Sequence, residues 1–172
     1  MANFQIALAA LNSDEGGYTR DEGGETYRGI SRNAWPSWSG WAILDALPPG
    51  VLTQGTIIRG NAALDQQVAA FYRQNFWLFD ALPDQDVANK IFSLFVNLAH
   101  AGIRVLQLAL QRIEVGPIVA DGNWGPQTQA GVIVADPARL LRAIRYFQVK
   151  HYLANDANRP NEIDGLLWRA VE

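Results

Sequence analysis

The densest group of residues able to do acid–base chemistry runs from Glu15 to Ile30. It holds four carboxylates (Glu15, Asp21, Glu22, Glu25), five glycines and two tyrosines. The pairs Gly16-Gly17 and Gly23-Gly24 stop a helix and permit positive φ, so the backbone can fold tightly on itself. A tight turn brings carboxylates that are near in sequence close in space. One carboxylic acid that donates a proton and a second carboxylate beyond it are what glycoside hydrolysis commonly needs. The same residues would also suit a solvated turn with no chemistry, and spacing alone does not separate the two.

An element must deliver each of these groups. Phe4, Ala7, Leu8 and Leu11 recur at helical spacing, which predicts a helix over residues 2–13 with one buried face. Its C-terminus delivers Glu15. The negative pole of the helix dipole and burial would both disfavour the ionised carboxylate there, raising its pKa as a general acid at neutral pH requires. Short strands are expected around Thr26 to Ile30 or Thr56 to Arg59. Between Ser31 and Gly60 periodicity is weak, and Trp35, Trp38 and Trp41 stand among turn residues. Tryptophans there either stack on sugars or fill core beneath an irregular loop. Arg20, Arg28 and Arg32 either meet substrate carboxylates or balance the local acids.

Helices are expected again from Asn61. Leu64, Val68, Phe71, Tyr72 and Phe76 form one stripe, closed by Leu82-Pro83-Asp84; Val87, Ile91, Leu94, Phe95 and Leu98 form a second, buried one. Asn97 ends that helix and is costly to bury unpaired. Gly102 is read as the break before a helix through Ile103, Leu106 and Leu110. Gly125-Pro126 and Asp136-Pro137 place proline at the first position of two more helices. The longer of them runs through Leu140, Ile144, Phe147 and His151, and a short last helix carries Leu166, Leu167 and Val171. The expected class is mainly α, with a small β element and a helical C-terminal lobe.

The chain has 172 residues, enough for a full core, with 49% hydrophobic and 18% charged residues. A net charge of −3 argues against a nucleic-acid partner, which requires a basic surface. The absence of cysteine removes disulfides, thiolate metal sites and cysteine nucleophiles. His100 and His151 are far apart in sequence and lack the spacing of zinc ligands, so no metal and no cofactor is expected. No signal sequence and no membrane-length apolar run is visible, and no stable membrane insertion is expected.

The order Glu15-Gly-Gly-Tyr18, then Asp21-x-Gly23-Gly24-x-Thr26-x-x-Gly29-Ile30, resembles the signature of the muramidases of glycoside hydrolase family 108. The likeness continues through Phe71 to Trp77, Val96-Asn97, Leu106-Gln107 and Asp121-Gly122-x-x-Gly125-Pro126-x-Thr128. The last run is similar to the peptidoglycan-binding half usual in that family. Three departures stand out. The Tyr18–Asp21 link is shorter than in the family, Ser93 replaces an aspartate, and Ala99 replaces a glycine.

The resemblance implies a lysozyme-like fold, with a catalytic lobe at 1–85 and a wall-binding helical lobe at 86–172. It implies cleavage of the β-1,4 bond between N-acetylmuramic acid and N-acetylglucosamine. Glu15 would be the acid, Asp21 the ionised partner and Thr26 the residue holding water; a water held there would attack opposite Glu15 and invert the anomeric carbon, whereas an Asp21 drawn closer to Glu15 would give retention. Tyr18, Gly24, Tyr27 and Asn97 would bind substrate; Asn97 could equally tie down a loop. Peptidoglycan strands would be the partner, reached after delivery by a holin or a secretion system, with a cognate immunity protein as a further partner. A lytic transglycosylase using Glu15 alone, or a non-catalytic wall-binding module, are the rival readings.

Overall fold

A computed structural model describes residues 1–14, 16–154, 165–167 and 170. In chain order it has α1 (Phe4–Asp14), β1 (Tyr18–Asp21), β2 (Gly24–Tyr27), β3 (Ile30–Ser31), α2 (Gly40–Asp45) and α3 (Ala62–Phe76). Then come α4 (Gln85–Leu98), α5 (His100–Arg112), α6 (Pro126–Val134) and α7 (Pro137–Ala154). The chain forms two compact units: Phe4–Leu78, and Met1–Asn3 with Phe79–Glu172.

In the first unit the predicted face of α1 is the buried one, through Phe4, Ala7, Leu8 and Leu11. Phe4 meets the Trp77 ring edge-on at 5.5 Å, and α1 packs on α3. Asn61 begins α3 by accepting the Leu64 N–H at 3.0 Å, which satisfies one of the free donors of the first turn. The segment read as irregular contains α2. Only Gly40 fits at its start, because a Cβ there would collide with the Trp38 indole. Trp38 and Trp41 are buried, their rings edge to face at 5.0 Å, and their N–H groups donate to Gln67 O and Trp35 O. These two therefore fill core, while Trp35 stays 39% exposed.

The three strands form an antiparallel sheet in the order β1-β2-β3. The stretch Thr26 to Ile30, expected as one strand, is instead a hairpin. Arg28 and Gly29 turn the chain with φ of 47° and 78°, the sign pattern of a type I′ turn. Arg28 is held in that unfavourable region from two sides: its carbonyl accepts the Tyr72 hydroxyl at 2.6 Å, and its guanidinium pairs with Asp65 at 2.9 Å. The Thr56–Arg59 stretch is not a strand. Its first residue and the preceding Gly55 still exchange backbone bonds with β1, through Tyr18 N–H to Thr56 O and Gly55 N–H to Tyr18 O, both 2.7 Å. Gly17 permits this approach, since a Cβ would strike the carbonyls of Gly55 and Thr56.

The second unit is built around α5, which packs on α4, α6 and α7 and buries seven of its residues. Asp84 and Asp136 cap α4 and α7 by accepting the Val87 and Arg139 N–H groups. Pro126 and Pro137 open their helices as the sequence predicts. The break before α5 falls at Ala99, not Gly102. Gly102 lies inside the helix because α4 passes so near that a Cβ would meet the Leu94 carbonyl. Residues 165–167 are helical, and Val171 lies outside the described residues.

Candidate active site

The register of the hairpin decides which side chains share a surface. Asp21 pairs with Gly24, Arg20 with Glu25, Thr19 with Thr26 and Tyr18 with Tyr27; Thr26 also pairs with Ser31. Directly opposed residues point to the same side, and side chains alternate along a strand. One face of the sheet thus carries Thr19, Asp21, Thr26 and Ser31. The other carries Tyr18, Arg20, Glu25, Tyr27 and Ile30. Asp21 and Thr26 are diagonal neighbours on the first face, so their Cα atoms are about 7–8 Å apart.

Asp21 is exposed at the tip of the β1–β2 turn. Its Oδ1 accepts the Gly23 N–H at 2.8 Å, an Asx-type contact that stabilises the turn. Among the described residues no hydrogen bond reaches Asp21 Oδ2 or the half-buried Thr26 hydroxyl. Gly24 adopts φ +101°, and the Asn33 amide lies where its Cβ would be, bonded to Gly23 O at 2.6 Å. Glycine is thus demanded at position 24 twice over, by backbone conformation and by space. Glu15 falls outside the described residues; in sequence it lies between the end of α1 and the start of β1.

The opposite face is internal except at Arg20, whose side chain is exposed. Tyr27 is fully buried and its hydroxyl accepts the Ile58 N–H at 3.2 Å; burial raises its pKa. Tyr18 is also buried and donates to Glu25 Oε1 at 2.5 Å, a bond that raises its own pKa, with burial adding to the effect. Both tyrosines therefore pack and bond on the face away from Asp21, not on an open surface. Glu25 is further held by Arg32, whose Nε lies 2.8 Å from Oε2, off the line of its N–H bond. The same guanidinium bonds Asp45 at 2.6 Å, which raises its pKa, and stacks 4.5 Å over Trp41. Arg28 pairs with Asp65, and Arg20 lies 4.0 Å from Glu25. These three arginines balance local acids.

Residue spacing alone missed the hydroxyls of Thr19 and Ser31, which share the Asp21 face. Period-two alternation would have found them once a two-residue turn at Glu22-Gly23 was fixed.

Asn97 lies in the second unit, on the last turn of α4. Its amide donates back to Ser93 O at 2.8 Å. The Asp121–Thr128 motif is gathered by one buried side chain, Gln107. Its amide nitrogen reaches Asp121 Oδ1, Asn123 O and Thr128 Oγ1 at 2.8, 2.9 and 3.1 Å, while its oxygen accepts the Gly122 N–H at 2.8 Å. The Asn123 N–H and the Gln107 amide hold the Asp121 pKa down. Gly122, at φ +79°, passes under the His100 carbonyl, and its own carbonyl bonds His100 Nδ1 at 3.0 Å. His151 is half-buried, which lowers its pKa. No group of acidic or histidine side chains suited to a metal ion occurs among the described residues.

The solved structure of SagA from Brucella abortus superposes with a TM-score of 0.61, covering 98% of this chain and 93% of that one at 20% identity. The fold is accordingly the mainly helical, lysozyme-like one expected, with a small antiparallel sheet. No curated protein sequence matches the chain. The sequence profile of Glycosyl hydrolase 108 matches residues 8–98, from within α1 through the whole sheet to the end of α4. With more than half its length matched, this chain belongs to glycosyl hydrolase family 108.

Proposed function

We propose that the chain is an N-acetylmuramidase that opens the β-1,4 bond between N-acetylmuramic acid and N-acetylglucosamine. Family membership makes it a glycosyl hydrolase and implies peptidoglycan as its substrate class. The observation that supports the two-carboxylate scheme is the sheet register, which sets Asp21 and Thr26 on one polar face. Glu15 protonates the leaving oxygen, Asp21 stays ionised beside the oxocarbenium-like charge, and Thr26 holds the attacking water. Inversion follows if that water enters opposite Glu15, which needs the two carboxyl groups roughly 6.5–9.5 Å apart. Proton NMR of the first product anomer checks this, because a β-anomer means retention.

The second unit is assigned to wall binding, with Asn97 as a substrate contact. Work on wall glycan lies in the periplasm or cell wall, with delivery by a holin or a secretion system and an immunity protein as a further partner. Fractionation of producing cells with and without such a system tests the delivery.

The decisive experiment is a zymogram on purified peptidoglycan with wild type and Glu15→Gln. The amide keeps size and polarity but supplies no proton, so lysis should fall by roughly 10²–10⁴-fold. A folded Glu15→Gln protein that lyses walls within about tenfold of wild type ends this assignment, since that margin is below the range of acid catalysis.

A further inference from the structure

The arginines near the hairpin are engaged by acids, and three of those without such a partner among the described residues share one pocket. Arg112, at the end of α5, and Arg139 and Arg142, in the first two turns of α7, line one open pocket of about 450 Å³ with Ile113, Ala143 and Tyr146. All three arginines are exposed, and none has an acidic partner among the described residues. In a chain of net charge −3 this is a local excess of positive charge.

Its placement adds to the field. A helix N-terminus already carries partial positive charge, so cations in the first turns of α7 are there at an electrostatic cost. An anion in the pocket would offset both the arginines and the helix dipole. Guanidinium groups match carboxylate oxygens in pairs, and the volume is that of a small-ligand site. Tyr146 is 55% exposed at the rim, and Lys150 lies 5.6 Å from its ring centroid. An aromatic face next to a basic pocket suits a ligand with an apolar body and acidic ends.

We propose that this pocket binds the carboxylates of the stem peptides of peptidoglycan, holding the wall through its peptides independently of the glycan. The proposal rests on peptidoglycan being the substrate. It commits to peptide carboxylates because these are the fixed anions carried along the glycan strand. Phosphate-bearing wall polymers offer an oxyanion too, and they are distinguished by the test.

The test measures binding apart from hydrolysis. Full-length Glu15→Gln protein is sedimented with three matrices: intact peptidoglycan, glycan strands stripped of peptides by an amidase and then amidated at the lactyl carboxyls which that cleavage frees, and a phosphodiester wall polymer. Intact peptidoglycan should bind best, and binding should weaken with added salt. Combining Arg139→Gln with Arg142→Gln should weaken it roughly tenfold, while kcat on a soluble peptide-free oligosaccharide stays at wild-type level in the Glu15 background. Titrating wild type with a free stem tetrapeptide should shift the Tyr146 ring signals by NMR, and the same peptide with esterified carboxyls should not. This arm needs no variant, so a misfolded double variant leaves the question open to decision.

Equal binding to stripped strands, preference for the phosphodiester polymer, or no response to the tetrapeptide would each overturn the proposal. Loss of lysis in the Glu15→Gln zymogram with no tetrapeptide binding removes this inference alone. Tetrapeptide binding with undiminished Glu15→Gln lysis removes the catalytic assignment alone.

Discussion

Two carboxylates four residues apart, Asp21 and Glu25, have been given different surroundings by the alternation of the strands. Glu25 is on the inner face, bonded by Tyr18 and paired with Arg32. Asp21 is on the outer one, with one oxygen on the Gly23 N–H. Glu25 thus belongs to the framework, and Asp21 is the candidate for chemistry. We predict that Asp21→Asn lowers kcat by at least roughly 10²-fold with little change in melting temperature. Glu25→Gln should do the reverse, costing about 1 kcal/mol of stability while the folded fraction keeps its activity within severalfold. Kinetics and thermal denaturation of the two variants decide it, and the opposite pattern would exchange their roles. The sequence shows the carboxylates but not this division. A three-residue turn in place of Glu22-Gly23 would have moved Thr26 to the inner face and Glu25 outward. Nor could composition tell that Tyr18 and Tyr27, residues suited to a cleft wall, would be buried.

Helices with strong local signals were legible in advance. Asn61 and the Asp136-Pro137 pair announce α3 and α7 because caps act within one turn; Asp84, read in the sequence only as closing the stripe before it, turns out to cap α4. The short α2 was not legible. Six residues do not form a helix on their own, and it is the packing of Trp38 and Trp41 that holds them. Ala99 shows how a departure in sequence becomes strain in structure. It closes α4 and opens α5 at φ 49°, ψ −130°, a conformation that suits glycine. Such a residue costs about 1–3 kcal/mol, against less than about 1 kcal/mol of added chain entropy for glycine. Ala99→Gly should therefore raise the melting temperature by about 2–4 °C, read by calorimetry. A lower melting temperature would show that the Ala99 methyl contributes more than its backbone costs. The Asp121–Thr128 motif makes a matching prediction. Gln107→Leu leaves Asp121, the Gly122 N–H and Thr128 without their common partner, and should cost roughly 2–3 kcal/mol with new proteolysis between residues 117 and 125.

At the scale of the molecule, the titrating groups divide between the two units. Tyr18 and Tyr27, in the first unit, keep their protons to higher pH when folded than when unfolded. Above their ordinary value of about 10, the unfolded chain has lost protons that the folded unit retains, so stability falls as pH rises through the folded values. His151 and Asp121, in the second unit, have lowered values. Below about 6.5 for the histidine and about 3.9 for the aspartate, the unfolded chain binds protons that the folded unit resists, so stability falls as pH falls. Alkali should thus loosen residues 4–78 first, and acid should loosen the helices from α4 to α7 first. Limited proteolysis across pH, with the cuts assigned by mass spectrometry, reads the two directions separately. His151→Gln should flatten the loss between neutral and mildly acidic pH, and Tyr18→Phe should flatten part of the alkaline loss. The acidic branch bears on function, because the proposed chemistry needs Glu15 protonated and has its optimum on the acidic side of neutral. Burial holds the His151 pKa below its ordinary value, so a hydrolysis optimum would be cut off on its acidic side partly by loosening of the second unit. If so, His151→Gln extends the active range toward acid without changing kcat at pH 7; an acidic limb that does not move in that variant assigns the whole limb to the carboxylates.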